Sequence, residues 1–198
     1  MKKLFLTAAV AVSSLTFAQQ FGAKAGMNVS TISDEGFDDT KSKVGYYAGV
    51  FMNVPVSESF SIQPEVLYNN LGSKVSSTVS GTTYSATLNL DYVAVPVMFQ
   101  YKATPQFYLE AGPEFGFLVN AKQKFDDGSS STVTELDKED FNSFNMGVGL
   151  GLGFDISKNV GLYARYVAGF SDITKESGPA ADAKNKNNAF QVGLNIKF

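Results

Sequence analysis

Residues 143–156 read SFNMGVGLGLGFDI, and in this stretch large apolar residues alternate with small or polar ones from end to end. Side chains of a β-strand point to opposite faces in turn, so strict alternation places all the apolar residues on one face. A helix would have to hold four glycines here, at about 1 kcal/mol each, and would scatter the apolar residues around its circumference. The stretch is therefore predicted to be a strand.

The same alternation recurs along the chain and predicts further strands at residues 21–29, 44–54, 60–68, 107–119, 160–170 and 190–198. Residues 88–101 form an eighth strand, but both of its faces are apolar, so its phase stays open. Short connections at residues 55–59, 102–106 and 157–159 alternate with long ones at residues 31–42, 72–86, 122–142 and 172–188. This order predicts an all-β fold, an eight-stranded antiparallel up-and-down β-barrel with its long loops at one end and both termini at the other.

The N-terminus has the pattern of an export signal. Two lysines precede an apolar stretch that continues to Phe17, and Thr16 and Ala18 supply small residues at a cleavage site. The alternative, a retained membrane helix, needs about 20 predominantly apolar residues, and this stretch is shorter and interrupted by serines. We therefore expect residues 1–18 to be a cleaved signal peptide and residues 19–198 to form the barrel domain.

The size of a ring of eight strands indicates which face lies inside. Such a ring encloses a lumen only just wide enough for side chains to fill. The non-apolar face carries most of the glycines, whereas the other face carries most of the large apolar residues. Small residues inside and large apolar residues outside give a belt that is stable in lipid and would aggregate in water. The pattern therefore predicts a transmembrane β-barrel in the bacterial outer membrane, surrounded by lipid and lipopolysaccharide.

Composition removes several classes of function. The chain has 198 residues with neither Cys nor His, so it can form no disulfide, thiol nucleophile or thiolate metal site and lacks the usual general base. Its formal charge of −3 does not match the basic surface of a nucleic-acid-binding protein. We therefore expect no enzyme, no catalytic, cofactor-binding or metal site, no cofactor and no nucleic-acid partner.

Five charged residues in the inward phase are predicted to meet inside the barrel at similar heights. Buried charges are tolerated when they are paired and hydrogen-bonded, so a closed network that plugs the lumen is the expected arrangement. Such a network is either stabilising polar filler or a gate or proton-linked site. Its predicted members are Lys24, Glu65, Glu110, Glu114 and Arg165.

Other residue sets suggest features at particular heights. Tyrosines near the strand ends are expected to form interfacial girdles, namely Tyr46, Tyr68, Tyr92, Tyr101, Tyr108 and Tyr166. Pro64, Pro96 and Pro113 are expected to share the outward face of adjacent strands, as a local bulge or a partner-docking notch. Acidic residues in the first and third long loops are either solvated or bind divalent cations shared with lipopolysaccharide.

Four short motifs carry a resemblance to a known family. Residues 189–198, AFQVGLNIKF, resemble the assembly signal that the barrel-assembly machinery reads, with its outward positions at Phe190, Val192, Leu194, Ile196 and Phe198. The stretches QPEVLY (63–68), YVAVPV (92–97) and AGP (111–113) resemble the PorT-like "porin family" of small barrels, architectural relatives of the outer-membrane protein A and X barrels. The resemblance implies a monomer that acts in envelope integrity, adhesion or protein secretion, with a possible extracellular or secretion-system partner.

These observations lead to one functional hypothesis with two alternatives. The preferred hypothesis is an outer-membrane barrel with a structural or interaction role and an occluded lumen. The first alternative is a small passive channel, which has the same fold but an open lumen. The second is a soluble ligand-binding barrel, in which the apolar face would lie inside.

Overall fold

The computed structural model describes residues 19–33, 41–79, 82–138, 141–173 and 185–198. These residues form nine β-strands: β1 (Gln20–Ser33), β2 (Lys41–Pro55), β3 (Phe60–Val79), β4 (Thr82–Lys102), β5 (Phe107–Asp126), β6 (Ser131–Glu135), β7 (Phe144–Asp155), β8 (Val160–Asp172) and β9 (Lys186–Lys197). They include no helix with the length and hydropathy of a membrane span. The predicted signal peptide, residues 1–18, lies outside the described residues.

Eight of the nine strands close into a ring. Neighbouring strands follow the order β4-β3-β2-β1-β9-β8-β7-β5, and β4 also pairs with β5 to complete the circle. Every pairing is antiparallel, including that of the first strand with the last, where Gly22 lies opposite Lys197. Closure leaves no unpaired edge in the ring. The predicted eight-stranded up-and-down barrel is therefore confirmed.

The short connections lie at the end of the ring that holds both termini. They are tight turns at residues 56–59, 103–106 and 156–159, as predicted. In the first, the N–H groups of Val56 and Ser57 both donate to the Phe60 carbonyl, at 2.9 and 3.1 Å. This end is called the turn end below, and the opposite end is called the loop end.

Two of the predicted long loops are wrong in part, because strands continue through them at the loop end. Residues 72–79 and 82–86 pair as antiparallel arms, because β3 extends to Val79 and β4 starts at Thr82. Residues 122–135 form a hairpin, in which the end of β5 pairs with β6. Both pairs of arms are mostly polar on both faces, so their strands lack the one-sided apolar pattern that predicts a barrel strand.

The two faces of the ring have the predicted polarity. Leu150, at the middle of β7, is 66% exposed on the outside, whereas Arg165 on the neighbouring strand is fully buried inside. Glycines leave room for the inward side chains. A Cβ atom added at Gly153 would overlap the ring of Tyr108. Large apolar residues thus face out, and the small residues between them let bulky polar side chains fill the lumen.

The phase of β4 is defined by the structure. Tyr92, Ala94 and Met98 are buried inside the ring, whereas Phe99 and Tyr101 are exposed outside. The inward phase includes Pro96, which is also buried. The prediction that Pro96 shares the outward face with Pro64 and Pro113 is therefore wrong. The reason is that both faces of β4 are apolar, so alternation along the strand does not define its phase.

Four of the six tyrosines predicted to form the girdle lie on the outer face, but one of them, Tyr166, pairs with Leu150 at the middle of β7 and so does not lie near a strand end. Tyr46, Tyr68, Tyr101 and Tyr166 are exposed on the outer face. The rings of Tyr46 and Tyr68 lie 6.2 Å apart between centroids. Tyr92 and Tyr108 instead point into the lumen and are buried, because each falls in the inward phase of its strand.

Candidate functional site

Four of the five predicted charged residues meet inside the ring. Arg165 on β8 donates from Nη1 and Nη2 to the two carboxylate oxygens of Glu65 on β3, at 2.9 and 2.8 Å. Its Nε donates to Glu110 on β5 at 2.8 Å. Lys24 on β1 donates to the same Glu65 carboxylate at 2.7 Å. These four residues, called the charge network below, bring together strands from around the whole ring.

Polar amides extend the charge network towards the turn end. The side-chain amides of Gln63 and Gln100 donate to Glu65 and Glu110 at 2.8 and 2.9 Å. Asn53 in turn donates to both glutamines, at 3.1 and 2.8 Å. On another side, the Lys24 ammonium lies 4.0 Å from the centroid of the Tyr163 ring, a cation–π contact. With two positive and two negative groups, the charge network is balanced and densely hydrogen-bonded.

Glu114, the fifth predicted member, does not join the charge network. It forms no salt bridge with any described residue, and its Oε2 atom is buried without a hydrogen-bond partner. It follows Glu110 by four residues on β5, which places it about 13 Å further along the strand. Instead it lines a small cavity on the loop-end side of the charge network, together with Asn69, Tyr92 and Asn187.

An apolar cluster, called the apolar cap below, fills the lumen at the loop end. Its members are Leu71, Leu90, Tyr92, Ala121, Phe141, Ile173 and Ala189. Phe141 and Ile173 come from connections between strands and fold back over the ring. The N–H of Asn142 donates to the Ile173 carbonyl at 2.8 Å, which ties these two connections together.

The alternating pattern does not predict the apolar cap, because Phe141 and Ile173 lie outside the alternating stretches. Each is an isolated large apolar residue in a polar connection. That isolation was the available signal, since an exposed loop has little use for a large apolar side chain unless it packs somewhere.

The C-terminal strand presents the predicted assembly residues on the outer face. Phe190, Val192, Leu194 and Ile196 are all exposed there, and Phe198 is 79% exposed. The backbone N–H of Phe198 donates to the Phe21 carbonyl at 2.8 Å, which adds to the pairing of the first and last strands. The Phe198 side chain thus contributes little packing to the folded barrel.

We expect Phe198→Ala to slow insertion into the outer membrane while leaving the stability of the inserted barrel almost unchanged. The reason is that its exposed ring supports recognition during assembly rather than packing. Phe170→Ala is the matched control, because Phe170 is also an exposed outer-face phenylalanine but lies on β8. Pulse-chase fractionation measures insertion. Equal insertion rates for the two variants would contradict the assembly-signal prediction.

The acidic loop residues form no metal site in the part of the chain that the structure describes. Asp34, Glu35, Asp38, Asp39, Glu139 and Asp140 lie outside the described residues. Asp127 holds the turn between β5 and β6, where hydrogen bonds from the backbone N–H groups of Ser130 and Ser129 lower its pKa to about 2. It therefore stays ionised at ordinary pH and serves the turn.

Comparisons with known proteins agree with this architecture. Residues 17–175 match the family model described as an outer membrane protein beta-barrel domain. The crystal structure of Ail, the attachment invasion locus protein of Yersinia pestis, superposes with a TM-score of 0.53 at 15% identity, covering 90% of this chain and 98% of that one. Neisserial surface protein A superposes with a TM-score of 0.50 at 12% identity, covering 90% of this chain and 97% of that one. No curated protein matches the sequence significantly. At these identities the structural likeness shows the fold.

Proposed function

The chain belongs to the family of outer membrane protein β-barrel domains and lies in the bacterial outer membrane, and on this basis we propose that it is a non-enzymatic structural or interaction barrel with an occluded lumen. The absence of His and Cys from the sequence supports the non-enzymatic part of the proposal. The observation that carries the rest is the filling of the lumen at two separate heights.

Both layers of filling obstruct a path along the barrel axis. In the charge network, Lys24, Glu65, Glu110 and Arg165 have fully buried side chains that reach one another across the lumen. At the loop end, the apolar cap adds Phe141 and Ile173 from outside the strands. A passive channel needs a continuous wet path, and the buried side chains of both layers argue against one. This filling favours an occluded barrel over the small channel.

We expect the purified protein to give no steady ohmic conductance in planar lipid bilayers. Insertion is verified in the same preparation by heat-modifiable mobility on gels, and a general porin serves as the positive control. Brief, infrequent openings are compatible with an occluded lumen, because buried layers open locally at some free-energy cost. A stable conductance that scales linearly with voltage would contradict the proposal and favour the small channel.

The loop end offers a surface for contact with other molecules. Beyond the apolar cap, β3, β4, β5 and β6 continue as a four-stranded extension in which Val75, Ala86, Phe125 and Thr132 lie in one cross-strand row. Val75 and Phe125 are exposed there. Among the described residues, β6 pairs with β5 alone and so ends the sheet. A free strand edge beside exposed apolar residues suits the addition of an extended segment from a partner.

We expect the loop end to face the cell exterior, as the long loops of such barrels do. The chain has no Cys, so single-cysteine variants report orientation directly. Ser129→Cys, in the turn between β5 and β6, should react with a membrane-impermeant maleimide on intact cells. Ser157→Cys is the matched control in the turn between β7 and β8 and should react only after lysis. The opposite pattern would reverse the orientation.

The proposal of a particular role in the cell envelope rests on the sequence motifs. The stretches QPEVLY, YVAVPV and AGP support a PorT-like monomer, for which envelope integrity, adhesion and help with secretion are the candidate roles. A strain lacking the protein separates them, because loss of integrity increases detergent sensitivity whereas loss of a contact does not. Phe125→Ser tests the contact role on the extension. It should impair adhesion or secretion without increasing detergent sensitivity, and an unchanged phenotype would argue against a role for this surface.

A further inference from the structure

The cavity next to Glu114 is lined by apolar residues and by several polar groups that lack protein partners. Its volume is about 20 Å³, enough for roughly one water molecule or one small ion. Unpartnered buried atoms among its lining residues are Oε2 of Glu114, both side-chain amide atoms of Asn69 and of Asn187, the hydroxyl of Tyr92, and Nδ2 of Asn145. Buried polar atoms in native proteins are normally satisfied, so this concentration indicates a bound species.

The charged side chains in the described part of the lumen indicate whether the bound species is positive or negative. The charge network is neutral in itself. Towards the loop end, Lys43 donates to Asn70, which in turn donates to Asp91 at 2.6 Å, so these two charges also offset each other. Lys197 pairs with Asp155 at 2.6 Å near the turn end. Of these acids, Glu114 is the one that forms no salt bridge or bridged pair with a basic residue among the described residues, and a buried carboxylate without a paired charge is destabilising.

We propose that the cavity binds a monovalent cation of about the size of Na⁺, with the Glu114 carboxylate as its charged ligand and the Asn69 and Asn187 side-chain oxygens as neutral ligands. The Tyr92 hydroxyl supplies a fourth oxygen. One positive charge balances the single carboxylate, whereas water leaves it unbalanced. Ca²⁺ takes six to eight oxygens and Mg²⁺ keeps several of its waters, and a single carboxylate balances only one of the two charges of either ion, so a monovalent cation fits this site better.

This inference goes beyond the contact role and does not depend on it. A cation at this position would join β3, β4, β5 and β9 between the charge network and the apolar cap. Its expected consequence is therefore a lumen that is more stable when the ion is bound, since a ligand that binds only the folded state stabilises that state.

The test is thermal unfolding of the purified barrel in detergent, in a NaCl series with choline chloride added to keep ionic strength constant. We expect the unfolding temperature to rise by a few degrees and to saturate with Na⁺. Glu114→Gln removes the charged ligand with little change of shape and should abolish the rise. Glu135→Gln is the matched control, because its carboxyl group is exposed on β6, and this variant should keep the full response.

A second variant keeps the test decisive should Glu114→Gln fail to fold. Asn187→Ala removes one neutral ligand and should raise the Na⁺ concentration at half-response about tenfold. An unmodified protein that responds equally to Na⁺ and choline would overturn the proposal. The proposal would also be overturned if Ca²⁺ gave the full rise in unfolding temperature at a lower concentration than Na⁺. The proposal would also be overturned if the unmodified protein did not respond to Na⁺ and Glu114→Gln were more stable than it in every salt. That result would show that the carboxyl group of Glu114 holds a proton rather than a cation.

Discussion

Arg165→Met is expected to lower the free energy of unfolding by about 3–5 kcal/mol, the cost of leaving one partner of a buried ion pair uncompensated. Arg165 is the centre of the charge network, since it binds Glu65 with two nitrogens and Glu110 with a third. Without it, Lys24 remains as the one cation beside two buried carboxylates. Urea unfolding of the barrel in lipid vesicles, followed by heat-modifiable mobility, measures the loss.

Two further variants separate charge balance from side-chain packing. Lys158→Met removes a positive charge from an exposed turn and should change stability by no more than about 0.5 kcal/mol. In Arg165→Met with Glu110→Gln, the Lys24–Glu65 pair is balanced again, so part of the lost stability should return. If the double variant were less stable than Arg165→Met alone, packing of the arginine rather than pairing of its charge would explain the effect.

Alternation along single strands was sufficient to predict the ring, because each barrel strand separates lipid from lumen and so carries a one-sided pattern. The pattern disappears where that separation ends. At residues 72–79 and 82–86, β3 and β4 rise beyond the ring, and Ser and Thr occupy most positions on both faces. Nothing in the local sequence then distinguishes a long hairpin from a loop.

The sequence predicts only in part which residues belong to the charge network. Phase places Glu110 and Glu114 on the same inward face of β5, as the structure has them. Which of them meets Arg165 depends on the stagger of β5 against β7 and β8, where Glu110 lies opposite Gly151 and Gly151 opposite Arg165. Stagger is a property of the closed ring, so a single strand's sequence does not contain it. The Glu114 cavity followed only from the three-dimensional arrangement.

Leu150→Arg is the prediction that tests the lipid-facing assignment, and we expect it to cost about 2–4 kcal/mol in lipid, as a basic residue does at the bilayer midplane. Leu150 lies at the middle of β7 and is exposed on the outer face. The same urea unfolding in vesicles measures the cost. The effect should come from removing a charge from water into hydrocarbon, because no protein side chain needs to move.

The depth of the substitution provides the matched control. Ile156→Arg places the same charge on a 54% exposed apolar residue just after β7 ends, where the membrane interface is near and the expected cost is only about 0–1 kcal/mol. Gly149→Arg tests the inner face, since a Cβ atom there would lie 3.1 Å from Cε of Met98. Its loss of stability should be relieved in part by Met98→Ala, whereas that of Leu150→Arg should not. If Leu150→Arg and Ile156→Arg cost the same small amount, the outer face would be facing water, and the soluble ligand-binding barrel would be favoured over the membrane barrel.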